Sequence, residues 1–182
     1  MKTKEFTFKS ATGVCDIYGC RYTPDDDAVK AVIAINHGMA EHQARYRDFV
    51  SFLTSNGFAV YMHDMANHGK SNNDKNLTGY FGKKDGYKAL VKDFDSVVKI
   101  AKTDYPDKKL VIMGHSMGSF IVRCYTAWYP NAGFDGAIYM GTGGSNPIAG
   151  VGDFVSSLIA KVTGYKKTVS YTHLRAHETT LH

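Results

Sequence analysis

The sequence predicts an α/β fold: a mostly parallel sheet, opened by an antiparallel hairpin, with helices on both faces. Three observations carry this. Short continuous apolar runs, AVIAI, FAVYM and LVIM, read as strands covered on both sides. Between them lie stretches of helical period, the clearest being Tyr87, Leu90, Val91, Phe94, Val97, Val98 and Ala101 on one face. Strand, helix and strand alternate at lengths that fit right-handed crossovers between parallel neighbours.

Each element follows in order. Glu5 to Ser10 alternates apolar with polar, and Cys15 to Tyr22 does so again after a turn at Ala11 to Gly13, which predicts the hairpin. Ala31 to Ile35 is the first buried strand. Phe49, Phe52 and Leu53 recur at helical spacing until Asn56 and Gly57 stop the helix. Phe58 to Met62 returns to strand, the long helix follows, and Pro106 ends it. Leu110 to Met113 is a further buried strand, a helix begins near Ser119 and runs to Tyr129 before Pro130, and Phe134 to Met140 closes the series as a strand.

Composition narrows the function classes. The chain has 182 residues, 43% hydrophobic and 21% charged, the balance of one ordinary domain. No apolar segment approaches the roughly 18 residues of a spanning helix. The N-terminal MKTKEFTFKSATG lacks the apolar run of a secretory signal, so a cytoplasmic location is expected. Cys15, Cys20 and Cys124 have no metal-like spacing and are expected as thiols. The net charge of +5 comes from scattered lysines, which argues against a nucleic-acid groove. It is compatible with transient contact with an anionic membrane surface. Oligomeric state is left open.

The chemistry centres on Gly114, His115, Ser116, Met117 and Gly118. A Gly-x-Ser-x-Gly match alone is weak, but this one lies directly between a buried strand and a helix, the setting of a nucleophile elbow. Such a turn crowds its neighbours, and glycine at 114 and 118 gives the clearance. It would leave the Ser116 hydroxyl at the carboxyl edge of the sheet and the Met117 amide at a helix N-terminus. The bland alternative is a serine that only caps a helix, which needs neither glycine.

Four segments, HGMAEHQARY, DMANHGKS, LVIMGHSMGSF and FDGAIYMGTGG, together resemble, in order and spacing, the α/β-hydrolases of the monoacylglycerol lipase and bacterial lysophospholipase branch, often called serine aminopeptidase-like. The resemblance covers Glu5 to about Ser145. One departure stands out: Ala66 and Asn67 occupy the place where the family usually has Arg-Gly. The resemblance implies an α/β-hydrolase core in which Ser116 attacks an ester carbonyl, a histidine takes its proton and an aspartate orients that histidine. It assigns the oxyanion hole to the amides of Met39 and Met117. It implies an ester or lipid substrate and no metal or organic cofactor. A peptidase or amide hydrolase of the same fold, or a non-catalytic binding module, remains as an alternative.

In this fold the acid and the histidine follow the serine in the chain. Downstream of Ser116 stand Asp135, at the amino end of a strand, Asp153, and Glu178; the histidines are His173, His177 and His182. None fits, and the triad Asp and His are expected to be absent from this chain, which is expected to stop before the last strands and to be inactive. Val169 to Thr179 resembles the translation of a sequencing-library adapter. The expected division is therefore a core over residues 1–145, the start of a helical cap over 146–168 and a non-native tail over 169–182. Phe154, Val155, Leu158, Ile159 and Val162 form the cap stripe, for which plain core packing is the alternative.

His37, His42, His63, His68 and His115 are expected in turns beside the active edge, without the spacing of a metal site. Gly141 to Pro147 (GTGGSNP) reads as a loop entering the cap in preference to a phosphate cradle.

Overall fold

The structure is a computed structural model that describes residues 1–144. Six strands, β1 (Lys2–Lys9), β2 (Asp16–Thr23), β3 (Ala31–Asn36), β4 (Phe58–His63), β5 (Leu110–His115) and β6 (Gly136–Met140), form one sheet in the order β1-β2-β4-β3-β5-β6. β1 and β2 form the antiparallel hairpin, and β2 joins β4 antiparallel. From β4 through β3 and β5 to β6 every pairing is parallel, as the buried apolar runs predict.

Helix α1 (Arg47–Ser55) covers one face of the sheet; α2 (Gly86–Asp104) and α3 (Met117–Trp128) cover the other. The alternation along the central strands separates two cores. Ile33, Ile35, Val60, Met62 and Met113 meet Val50 and Leu53 of α1. Val32, Ala34, Ala59, Tyr61, Leu110 and Ile112 meet the stripe of α2 and the Ile121, Val122 and Tyr125 face of α3. Phe94 and Tyr125 join α2 to α3 edge to face at 5.3 Å.

Several details differ from expectation. In α1 the inward face is Val50, Leu53 and Thr54, while Phe52 is 62% exposed and Phe49 lies outward with it. Apolar residues stand in adjacent pairs there, so two stripes one residue apart compete, and only the sheet chooses between them. Tyr87, the first residue of the α2 stripe, is exposed and meets Trp128 at 6.0 Å instead of the core. Helix α3 begins at Met117, two residues before Ser119, so Ser116 itself is the residue before the first turn.

Asp135 lies at the amino end of β6, as the sequence indicates: its carboxylate accepts from the Leu110 amide at 2.8 Å and from Lys109 Nζ at 2.6 Å. That is the edge opposite Ser116. Ile138, Tyr139 and Met140 of β6 are exposed, and among the described residues no strand pairs with the outer side of β6. The expected cap segment and tail, with Asp153, Glu178, His173, His177 and His182, lie outside the described residues.

Candidate active site

The parallel strands deliver three loops to one edge of the sheet: His37 to His42 after β3, Asp64 to Ser71 after β4, and the turn at Ser116 after β5. Ser116 has φ 51° and ψ −119°, a conformation that an L-residue adopts only when its surroundings impose it. Its amide donates to Met140 O at 2.9 Å, which anchors the turn to the end of β6. Its carbonyl accepts from the Ser119 amide at 2.9 Å and the Ser119 hydroxyl at 2.6 Å, so the first turn of α3 closes on it. Among the described residues, Ser116 Oγ forms no hydrogen bond to a histidine.

The two flanking glycines are fixed by space. A Cβ on Gly114 would stand 2.7 Å from Ser119 Cα, and one on Gly118 would stand 2.8 Å from the carbonyl carbon of Asn36. The start of α3 therefore lies directly on the end of β3, bringing the Ser116 turn against the His37 to His42 loop. Gly38 completes the contact, since a Cβ there would lie 3.1 Å from Ser116 Cβ. Met117 is the first residue of α3, and its amide precedes any helical acceptor. Met39, 58% exposed, follows Gly38 in the turn after β3.

That loop is held by groups to which the sequence assigned no role there. Glu41 accepts from the Gly38 amide and from Tyr46 Oη at 2.7 Å, and lies 3.1 Å from His115 Nδ1, which is also 3.0 Å from Tyr46 Oη. The Glu41 side chain is only 11% exposed. Burial raises its pKa, but the hydrogen bonds from Tyr46, His115 and Gly38 outweigh that and hold the carboxyl below its ordinary value. Ala40 sits at φ 58°, a left-handed conformation, with its amide 3.4 Å from His68 Nε2. The only hint in the sequence was a carboxylate three residues after a glycine in a turn.

Asp64, buried after β4, accepts from the Gln43 amide at 2.8 Å and the Lys70 amide at 2.7 Å, tying the second loop to the first. Asn67 stands at φ 55°, the left-handed conformation its residue type tolerates, and its side chain donates to Tyr80 O at 2.5 Å. The loop thus keeps its turn with Ala66 and Asn67 in place of Arg-Gly.

The histidines divide. His37 and His68 are buried loop residues, whereas His63 and His115 are the last residues of β4 and β5, not turn residues. Burial lowers His63 to a pKa of about 3, and neither of its ring nitrogens has a partner among the described residues. Among the described residues no three His, Cys, Asp or Glu side chains converge on a point that could hold a metal ion. None of the described helices is long and apolar enough to cross a membrane.

Known proteins place this arrangement. Residues 27–175 match the family described as serine aminopeptidase, S33. The chain is similar to the monoacylglycerol lipase of Mycolicibacterium smegmatis, 34% identical over 166 residues, covering 88% of this chain and 53% of that protein. It is similar to the monoglyceride lipase of Mus musculus, 32% identical over 102 residues, covering 56% of this chain and 32% of that one. Among solved structures, a thermostable carboxyl esterase from Bacillus coagulans in complex with glycerol superposes with a TM-score of 0.81 at 31% identity, covering 94% of this chain and 55% of that one. The chain spans about half the length of the first of these relatives. With its elbow and its two supporting loops at one sheet edge, the chain belongs to the serine aminopeptidase, S33 family of α/β-hydrolases.

Proposed function

We propose that the chain is part of a serine carboxylic-ester hydrolase of monoacylglycerol lipase or lysophospholipase type, with Ser116 as nucleophile and the Met39 and Met117 amides as oxyanion donors. The observation that carries this is Ser116 held at φ 51° between β5 and α3, with the Gly38 turn packed on it. In such a site Ser116 gives its hydroxyl proton to the base as Oγ bonds to the ester carbonyl carbon, and the carbonyl electron pair moves onto oxygen, where two amide protons meet it. Collapse expels the alcohol, which takes the proton from the base, and water then releases the acid in a second addition.

The base and the acid that orients it are proposed to be absent from this chain. Serine and histidine act as a unit, so without its partners the serine retains little turnover, a loss on the order of 10⁶. The proposed substrate is a small-molecule ester or lipid, and transient contact with a membrane surface fits it.

Ester hydrolysis and fluorophosphonate labelling of the 182-residue chain, beside its Ser116→Ala variant, test this reading. Any label is expected on Ser116 and nowhere in the variant, with turnover near background. Labelling that survives the substitution would reject the nucleophile; robust Ser116-dependent turnover would reject the inactivity. The parallel use of aminoacyl amides separates ester from amide preference.

A further inference from the structure

His37 is fully buried, and both of its ring nitrogens are engaged. Nδ1 lies 2.7 Å from Gly38 O, and Nε2 lies 2.9 Å from the Met65 amide nitrogen. A carbonyl oxygen can only accept and an amide N–H can only donate. The two contacts therefore fix one neutral tautomer, with the proton on Nδ1 and the lone pair on Nε2.

The consequence runs through the peptide plane. Gly38 C=O and Met39 N–H belong to one trans peptide unit and point in opposite directions. Holding that carbonyl against the imidazole turns the Met39 N–H away from the ring, while the neighbouring Gly38 lies against Ser116. The preceding peptide unit is fixed as well, because Glu41 takes the Gly38 amide. A flip of the Gly38–Met39 plane would break the bond to His37 and present the carbonyl where an amide proton is required.

We infer that His37 is a tautomer-specific positioning residue, whose Nδ1–H holds the Gly38–Met39 peptide so that the Met39 amide is available to a developing oxyanion. The assignment of that oxyanion rests on the proposed serine hydrolase reading; the tautomer and the orientation of the peptide do not. Protonating Nε2 would set two N–H groups against each other at Met65. Burial holds the ring at a pKa of about 4, with the carbonyl of Gly38 and the Asp64 and Glu41 carboxylates pulling upward and the His68 ring, 5.5 Å away, pushing downward. His63, at the end of β4, is a further titratable neighbour, whose pKa the charge on His37 also lowers.

The test uses the intact chain. Long-range nitrogen-proton correlation spectra of histidine-labelled protein are expected to show His37 as the Nδ1–H tautomer, unprotonated down to about pH 5. The Nε2–H tautomer, or titration near the ordinary value, overturns the inference. Two variants then separate orientation from packing. His37→Asn keeps a donor near the Nδ1 position, whereas His37→Gln reaches only the Nε2 position and leaves Gly38 O without its donor.

The Met39 N–H residual dipolar coupling is expected to stay at the native value in His37→Asn and to depart from it in His37→Gln. Equal behaviour of the two variants overturns the inference. If a variant fails to fold, the tautomer of the native chain still decides. Where Ser116-dependent turnover is measurable, kcat is expected to fall about 10²-fold in His37→Gln with KM within about twofold, the size of one lost oxyanion donor. A correct tautomer and coupling in a chain whose fluorophosphonate labelling survives Ser116→Ala would reject the hydrolase reading alone.

Discussion

Gly38 and Ser116 meet with no room for another carbon between them: a Cβ on Gly38 would fall 3.1 Å from Ser116 Cβ, 3.3 Å from His115 Nδ1 and 2.7 Å from Glu41 Oε1. The loop after β3 and the turn after β5 are thereby locked at one point. Gly38→Ala must push the turn after β3 off the elbow or displace Glu41. Overpacking of this kind costs about 1–3 kcal/mol. Thermal or urea unfolding is expected to show that loss, accompanied by a shift of the Met39 amide resonance.

Ser116 stores backbone strain. A non-glycine residue in a sparsely populated region costs about 1–3 kcal/mol, and the freedom glycine gains in the unfolded chain returns roughly 0.4–1 kcal/mol of that. Ser116→Gly is therefore expected to be more stable than Ser116→Ala by about 1 kcal/mol, although neither keeps the hydroxyl. Paired urea melts measure the difference, and equal midpoints with equal slopes would remove the strain from the account.

Glu41 predicts an acid dependence. Its pKa is lowered in the folded chain, so its contribution to stability is present above the ordinary carboxyl value near 4.5 and is lost as pH falls through the lower folded value. Glu41→Gln is expected to flatten the stability profile below about pH 5. At neutral pH it also weakens the hold on Gly38 and Tyr46, because an ionised acceptor makes the stronger bond. Chemical unfolding at a series of pH values checks both.

Asp93 behaves in the opposite sense. On the buried face of α2 it accepts from the Ser10 hydroxyl at 2.6 Å and the Ala11 amide at 2.7 Å, joining the hairpin turn to the helix. Burial raises its pKa in spite of those bonds, so its contribution to stability is greatest at low pH and declines as pH rises from the ordinary carboxyl value through the folded one. Asp93→Asn can accept from Ala11 and donate to Ser10, and is expected to change stability at neutral pH by less than about 1 kcal/mol. Asp93→Ala takes the acceptor from the Ala11 amide and leaves the Ser10 hydroxyl with Thr12 alone, and is expected to cost about 1–3 kcal/mol.

Much of the fold was legible before any coordinates. Leu110 to Met113 is apolar without a break because α1 covers one face of the sheet and α2 and α3 the other, and the seven-residue stripe of α2 allowed only one inward face except at Tyr87. The α1 face was not legible, since Phe49 and Val50, and then Phe52 and Leu53, are equally apolar neighbours one residue apart. The start of α3 was misplaced because Gly118 is a poor helix former and interrupts the signal that Met117 alone gives; the turn at Ser116 imposes the start.

By itself the sequence determined the order of strands and helices, the parallel core and the serine between two glycines, because hydrophobic period and glycine placement are local properties that survive in one dimension. The tertiary structure alone decided that Gly38 would touch Ser116, that Glu41 would gather an amide, a phenol and an imidazole, and that His37 would carry its proton on Nδ1. Each of those depends on loops from β3, β4 and β5 arriving at one edge of the sheet, and hydrogen-bond direction exists only once the donors and acceptors have been brought within 3 Å or so of one another.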